Sequence, residues 1–462
     1  MNDTDTICAI ATAQGGAIGV VRVSGPQAIA VTERIFRPAQ TDKLLSRQPG
    51  NTLTFGRIYD GDELIDEVLV SLFRAPHSYT GEESVEISCH GSAYILQQLI
   101  QLLIKNGCRL ARPGEYTQRA FLGGKMDLSQ AEAVADLIAS TSAATHRLAM
   151  NQMRGGFSEE LTALRDKLLT FTSLIELELD FSDHEDVEFA DRSSLHALAD
   201  GIEAVIARLV RSFSVGNVIK NGVPVAIIGE TNAGKSTLLN VLLNEERAIV
   251  SDIHGTTRDV IEDTVNLGGV IFRFIDTAGI RDTTDTIETL GIERTFQKVA
   301  QAEIILWVID SNHVSQQFDD LSPRILPLAE GKQLILVLNK ADEAPATTAA
   351  ITSPLLSGFT AIAISAKRRE HIDDLQELLI SAAHLPAITQ SDVIVTNVRH
   401  YEALSKALDA IRRVQQGLTD HISGDFLSQD IRECIFFLSD IVGEVTNDMV
   451  LQNVFKNFCI GK

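Results

Sequence analysis

The residue types able to do chemistry gather in short segments between Gly229 and Lys367. Gly229-Glu-Thr-Asn232-Ala233-Gly234-Lys235-Ser236-Thr237 follows the apolar run VAII and opens the helical pattern STLLNVLLN. This is GxxxxGK[ST] in a strand–loop–helix context. Its glycines let backbone N–H groups curl around an anion, and the helix N-terminus adds its dipole. Lys235 then reaches β- and γ-phosphates, and the Ser236 hydroxyl suits magnesium. The plain alternative is a tight glycine turn, which the flanking pattern disfavours.

Three further segments lie at the ends of apolar runs. Asp276-Thr277-Ala278-Gly279 closes VIFRFI, where an Asp can hold magnesium through water and the Gly279 N–H can meet a γ-phosphate. Asn339-Lys340-Ala-Asp342 follows LILVL. The Asp342 carboxylate can accept from guanine N1–H and the 2-amino group together. Adenine offers neither donor there, and an unpaired buried carboxylate rejects it. Ser365-Ala366-Lys367 follows FTAIAI and supports the base from the other side. The expected nucleotide is GTP. Between cradle and Asp276 lies Ser251-Asp-Ile253-His-Gly-Thr256-Thr257-Arg-Asp259, a loop whose Thr257 can complete a magnesium shell when a γ-phosphate is present. Ras-like proteins carry a water-orienting Gln directly after the Asp-Thr-Ala-Gly segment. Ile280 stands there instead, leaving Arg281, Asp282, Asp285 and Glu288 as downstream polar candidates or exposed charges.

The elements that position these segments follow from texture. From Gly222 to about Leu385 the apolar runs VPVAII, VIFRFI, EIILWVI, QLILVL and FTAIAI alternate with helical patterns, which implies a parallel sheet covered on both faces. From Thr6 to about Leu122, short β-like runs and a helical stretch at Ala93–Lys105 imply a mixed α/β domain. Helical texture fills Lys125–Asn221, where Leu195, Leu198, Ile202, Val205, Ile206, Leu209, Val210 and Phe213 share one face, and it returns after Pro386. The expected organisation is an α/β N-terminal domain over 1–122 and an all-α helical domain from 123–221 plus 386–462. An α/β P-loop GTPase domain over 222–385 is inserted in the helical one. The acidic run Glu176–Asp191 reads as a solvated helix end or loop.

Composition sets limits. The 462 residues carry 40 Lys plus Arg against 62 Asp plus Glu, a formal charge of −22, and 45% are apolar. Such a chain can bury cores but cannot coat phosphate backbones or anionic membranes without a local basic patch. Basic residues gather only at Lys367-Arg368-Arg369 and Arg412-Arg413, each readable as a solvated face. Cys8, Cys89, Cys108, Cys434 and Cys459 form no CxxC pair, and neither a signal peptide nor a bilayer-spanning run is evident, so a cytoplasmic protein is expected.

GETNAGKSTLLN, SDIHGTTRD, DTAGIRD, NKAD and the terminal Cys459-Ile-Gly-Lys462 together resemble the MnmE (TrmE) family of tRNA modification GTPases. GAIGVVRVSG, TGEESVE, CHG and RPGEYTQRAFLGGKMDLSQAEAVADLI extend the resemblance through the front domain to essentially the whole chain. One departure is ETNAG, where the family usually has a basic or small residue and Pro before Asn. The resemblance implies a homodimer through the front domains and a tetrahydrofolate derivative (5-formyl or 5,10-methylene) as one-carbon donor. It further implies a flavoprotein partner, MnmG (GidA), in a heterotetramer or larger complex. The implied reaction adds a carboxymethylaminomethyl-type group to C5 of the wobble uridine of certain tRNAs. It matches Arg22, Glu86, Lys125 and Lys462 to the folate site, with Arg and Lys suited to glutamyl carboxylates and Glu86 to pterin donors. It matches Asn232, Ser251, Ile253 and Thr256 to ligands of a potassium ion that replaces an arginine finger, and Glu288 to the water-positioning residue. Lys235 and Asn232 complete the expected catalytic set, and Cys459 becomes a candidate functional thiol rather than a prenylation site.

Two other readings compete. An Era-like regulatory switch in ribosome assembly would carry a KH-type GXXG loop or a basic appendage, and neither is evident. A scaffold whose nucleotide only controls dimerisation fits the folate-like front domain poorly.

Overall fold

The computed structural model describes residues 5–13, 15–180, 192–244, 263–275, 299–344, 356, 358–384, 392–444, 451, 454–455, 458 and 461. The chain divides into two compact units: Met1–Ala139 with Ala149–Ile206 and Glu402–Lys462, and Ser140–Leu148 with Ala207–Tyr401.

In the first unit, β1 (Ile7–Ile10), β2 (Ile18–Ser24), β3 (Phe36–Pro38), β4 (Thr52–Asp60), β5 (Glu63–Phe73), β6 (Ser84–His90) and β7 (Arg109–Leu110) form one sheet. Its order is β3-β4-β5-β6-β2-β1-β7. All neighbours are antiparallel except β1 and β7, which run parallel. Helices α1 (Ala28–Ile35) and α2 (Ala93–Lys105) cover one face. Leu96, Leu99, Leu102 and Leu103 of α2 are buried against it at the three-and-four spacing of a single helix stripe. Strand alternation decides the rest. Val68, Val70 and Leu72 turn into the core, while Leu53, Phe55 and Leu69 on the opposite face are exposed.

The helical segments are α3 (Glu115–Leu122), α4 (Leu128–Ala139), α5 (Ala143–Met153), α6 (Gly156–Asp180) and α7 (Arg192–Asn221). On α7, Leu195, Ile202, Ile206 and Leu209 are buried, and Leu198, Val205, Val210 and Phe213 are half-buried, so the expected stripe is present. Residues 181–191, most of the acidic run, lie outside the described residues.

The second unit holds β8 (Val223–Ile228), α8 (Lys235–Asn244), β9 (Asp263–Leu267), β10 (Val270–Phe274), β11 (Ile304–Asp310), α9 (Val314–Ile325), β12 (Gln333–Asn339), β13 (Thr360–Ala363) and α10 (Ile372–Ala382). The sheet order is β13-β12-β11-β8-β10-β9. The five apolar runs supply five mutually parallel strands. The sixth, β9, pairs antiparallel with β10 through Gly268-Gly269. It is absent from the list of apolar runs because DTVNL alternates in burial, as an edge strand does. Ile304, Leu306 and Val308 of β11 enter one core cluster, and Ile305, Trp307 and Ile309 enter the other. Both faces are therefore covered. Entry and exit of this region lie side by side: the Phe213 ring stacks on Tyr401 at 4.4 Å, and the Val395 N–H donates to Ser212 Oγ at 3.1 Å. That adjacency is what an inserted domain requires.

After α11 (Val398–Thr419), α12 (Gly424–Val442) packs against α6. Its Leu427, Ile431, Cys434, Leu438 and Ile441 are buried, as are Leu161, Leu164, Leu168, Phe171 and Ile175 of α6. The fold is thus an N-terminal α/β domain, a helical domain and an inserted P-loop domain. Among the described residues, no helix is long and apolar enough to cross a membrane.

Candidate functional site: a phosphate cradle and a base seat

The cradle is built where the fully buried strand β8 ends and α8 begins. Gly229 holds φ 141°, and a Cβ there would collide with the Val308 carbonyl oxygen of β11. Gly234 holds φ 96°, and a Cβ there would strike the Asn339 side-chain amide. Both positions demand glycine. Asn232 takes φ 63°, a left-handed conformation that Asn tolerates better than most residues. The course of the loop is therefore set by backbone positions that only glycine, or an Asn in the left-handed region, can occupy. Lys235 Nζ donates to the carbonyl oxygens of Gly229 and Glu230 at 2.8 and 2.7 Å, so the ammonium lies along the loop. Ser236 and Thr237 follow in the first turn of α8, and Ala233 is buried.

Asn339 ties cradle to base seat. It is buried at the end of β12; its Nδ2 donates to Ala233 O at 2.9 Å, and its Oδ1 accepts from the Ala366 N–H at 3.0 Å. One side chain thus fixes three of the four expected segments relative to one another. Ser365 and Ala366 are buried, while Lys367 is exposed. The Ala341 N–H donates to Ile364 O at 3.0 Å, holding the Asn339–Asp342 turn against the end of β13.

The charged groups are arranged in pairs. Lys340 Nζ lies 2.7 Å from Oδ2 of Asp310, the residue that closes β11. Asp310 Oδ1 accepts from both the backbone and side-chain N–H of Asn312 at 3.0 Å. Burial pushes the Asp310 carboxyl up, but Lys340 and Asn312 outweigh it and hold it below its ordinary value. Asp342 is enclosed, with 5% of its side chain exposed. A hydrogen bond from Ser365, then the charges of Arg368 and Lys367, hold its carboxyl below the ordinary value. It is an ionised acceptor set at the mouth of the seat, which is what recognition of guanine N1–H and 2-amino groups needs.

Ser251, Ile253, Thr256, Thr257, Asp276, Thr277, Ala278, Gly279 and Glu288 lie outside the described residues. Two relevant residues escaped sequence reasoning. Asp310 had a signal, an acid ending a wholly apolar strand. Arg368 was visible only as part of a basic run.

The front domain brings a second set together. Arg22 on β2 and Glu86 on β6 are direct cross-strand partners, with Arg22 Nη2 2.8 Å from Glu86 Oε1. The Arg22 guanidinium lies 5.5 and 5.6 Å from the ring centroids of Tyr79 and Tyr116, and the Tyr116 hydroxyl donates to Arg22 O at 2.8 Å. Lys125 donates to Pro76 O at 2.9 Å, on the loop that carries Tyr79. Neither tyrosine is conspicuous in sequence, since tertiary packing of a loop and of α3 brings them to Arg22. The C-terminal segment reaches this domain. Leu451 and Phe455 join Leu128 and Ala131 in one apolar cluster, and Gly461 sits against the Ile10 carbonyl of β1. Cys459 and Lys462 are outside the described residues. The four described cysteines are buried and free.

Comparison with known proteins agrees across the chain. The family model described as "MnmE helical domain" matches residues 128–459, and "GTP-binding protein TrmE N-terminus" matches 6–125. A tRNA modification GTPase MnmE of Bacteroides thetaiotaomicron is 75% identical, covering 99% of each chain. One from Christiangramia forsetii is 51% identical over the full length of both. Among solved structures, Era in complex with MgGDPNP and a 16S ribosomal RNA segment is 26% identical over 40% of this chain and 65% of its own, with a TM-score of 0.27.

Proposed function

Because the chain belongs to the MnmE family of tRNA modification GTPases, and so is a GTP hydrolase of tRNA modification, we propose that it drives C5 modification of the wobble uridine in certain tRNAs. It does so in the cytoplasm, as a homodimer working with an MnmG-type flavoprotein and a tetrahydrofolate one-carbon donor. The observation that carries this reading is the Asn339-centred assembly of cradle and base seat, in a chain whose separate front domain pairs Arg22 with Glu86.

The residues fit the groups assigned to them. The loop amides of Ala233–Thr237 and Lys235 would hold phosphates, Asn339, Asp342 and Ser365–Lys367 would hold guanine, and Lys340, paired with Asp310, would line the base seat. Ser236 and Thr257 would hold magnesium, and Asn232, Ser251, Ile253 and Thr256 would hold potassium. When bound, these cations would supply positive charge to offset the negative charge that develops between the β- and γ-phosphates. The left-handed backbone of Asn232 supports its part in this, since it lies within the cradle. Asp276, Thr277, Ala278 and Gly279 would serve the γ-phosphate, and Glu288 would orient water; all five lie outside the described residues. In the front domain Arg22, Glu86, Lys125 and Lys462 would hold the folate, with Tyr79 and Tyr116 beside Arg22; Gly461 against the Ile10 carbonyl of β1 supports a part for the tail that includes Cys459. The exposed Leu53, Phe55 and Leu69 support a front-domain dimer surface. The domain limits 1–122, 123–221 plus 386–462, and 222–385 belong to this proposal.

The Era-like alternative is not favoured, because relatives alike over the full length are tRNA modification GTPases. The testing experiment combines the purified chain with the flavoprotein, flavin, NADH, GTP, methylene-tetrahydrofolate and unmodified tRNA, and reads nucleosides by mass spectrometry. The C5-modified wobble uridine should form only when the chain and GTP are both present. Its absence in the complete mixture contradicts the proposal. GTP turnover should also be faster in K⁺ than in Na⁺ at equal ionic strength; equal rates remove potassium from the site.

A further inference from the structure

The base seat contains a second claimant for its carboxylate. Arg368 places Nε 3.0 Å from Oδ2 of Asp342. Asp342 is enclosed, whereas the Arg368 side chain is 61% exposed and has open solvent to swing into. The contact is made from a tight turn. Ser365 and Glu370 exchange main-chain N–H···O bonds of 3.2 and 3.1 Å, and the Arg368 N–H donates to Ser365 Oγ at 3.1 Å. Arg369 and His371 take left-handed φ values of 58° and 59°, unusual for such side chains. The turn thus holds the stem of Arg368 beside Asp342 while the guanidinium keeps its freedom.

A guanidinium and the N1–H/2-amino edge of guanine offer a carboxylate the same thing, planar N–H donors. Guanine needs both carboxylate oxygens, and Arg368 already engages one of them. We propose that Arg368 is a built-in competitor for the carboxylate that reads guanine, so that every incoming nucleotide displaces it to seat its base. The inference rests on the reading of Asp342 as the guanine-recognising residue. It also gives a role to the Lys367-Arg368-Arg369 run, which sequence alone left as a solvated face.

The consequence is a tax on affinity. Apparent binding is weakened by the fraction of time that Asp342 is engaged by Arg368. For a pair with one exposed partner this amounts to about a two- to fivefold loss. It falls on the association rate, because the competition ends once the base is seated.

The test uses the full-length chain and a fluorescent GDP in stopped flow. Arg368→Ala should raise the association rate about two- to fivefold, with the dissociation rate unchanged. Arg368→Lys should fall between, and the advantage of Arg368→Ala should shrink as added salt screens the pair in the parent protein. Equal or weaker GDP binding by Arg368→Ala overturns the proposal, since it would make Arg368 neutral or a support for the bound base. A second arm separates this from failure of the base reading. Asp342→Asn should lose GDP and gain xanthosine diphosphate, and adding Arg368→Ala to it should change nothing further. Undiminished GDP affinity in Asp342→Asn overturns both the base reading and the competition. A loss of GDP there, with no gain from Arg368→Ala alone, overturns only the competition.

Discussion

The two sheets of this molecule place function in opposite ways. The inserted sheet is covered on both faces, with β8 and β11 wholly buried, so nothing can bind on its surface. Its site is made of loops at the carboxyl ends of parallel strands: Gly229–Ser236, Asn339–Asp342 and Ser365–Lys367. The front sheet is antiparallel but for β1 with β7; one face is covered by α1 and α2, and the other only at the β1 end, where Ile7 and Ala9 pack on Tyr116 of α3. Its Arg22–Glu86 pair, proposed to hold folate, stands beside that covered end, flanked by Tyr79 and Tyr116, in a cross-strand row that continues through Ser71 to the exposed Leu53. A site on strand ends survives as a sequence motif. A site on a sheet face is assembled by register from residues far apart in the chain.

Substitutions separate the two sheets experimentally. The largest effect is expected at Trp307, fully buried in β11 and stacked on Phe318 at 5.2 Å. Trp307→Ala should cost about 3–5 kcal/mol in denaturant unfolding of the inserted domain; a loss below about 1 kcal/mol would mean that this face is not packed as described. Next comes Lys235→Ala, which touches the cradle and not the core. GTP turnover should fall about 100-fold or more with the unfolding midpoint nearly unchanged; turnover near the parent rate would remove Lys235 from phosphate binding.

In the front domain the corresponding test is electrostatic. Asp5 and Glu115 accept from Arg109 and Arg119, with Arg119 Nη2 2.5 Å from Asp5 and 3.1 Å from Glu115. The hydrogen bond from Arg109 leads in lowering the Asp5 carboxyl. Burial pushes Glu115 up, but Arg109, the Arg112 N–H and Arg119 outweigh it. Both folded values lie below the ordinary 3.8 and 4.5. The stabilisation is therefore complete above those values and lost as the pH falls through the lowered ones. Arg119→Ala should cost about 1.5–3 kcal/mol at neutral pH and progressively less toward pH 3. A pH-independent cost would assign its role to packing. The smallest stability effect belongs to the open face. Phe55→Ser with Leu69→Ser should change unfolding by about 0.5 kcal/mol or less yet weaken self-association in sedimentation; unaltered association would move the dimer surface elsewhere.

The same contrast explains what could be read beforehand. The five apolar runs became five parallel strands, most plainly in β8, β11 and β12, where burial on both faces writes itself as near-continuous hydrophobicity. The edge strand β9 did not announce itself, because only alternate residues, Val265 and Leu267, enter the core. The Asn339 and Asp342 segment was legible as chemistry, whereas the placement of Arg368 on Asp342 depends on left-handed turns at Arg369 and His371 that no local pattern betrays. Arg22 and Glu86 drew attention only through family resemblance. That Tyr79 and Tyr116 flank Arg22 follows from three-dimensional packing alone.

The central claim is that GTP chemistry in the inserted domain serves tRNA modification. It is tested most directly by nucleoside mass spectrometry of tRNA from cells lacking this chain, complemented with the parent or with Lys235→Ala. C5-modified wobble uridine should disappear without the chain, return with the parent and fail to return with Lys235→Ala. Normal wobble uridine in cells without the chain, or full rescue by Lys235→Ala, would contradict it.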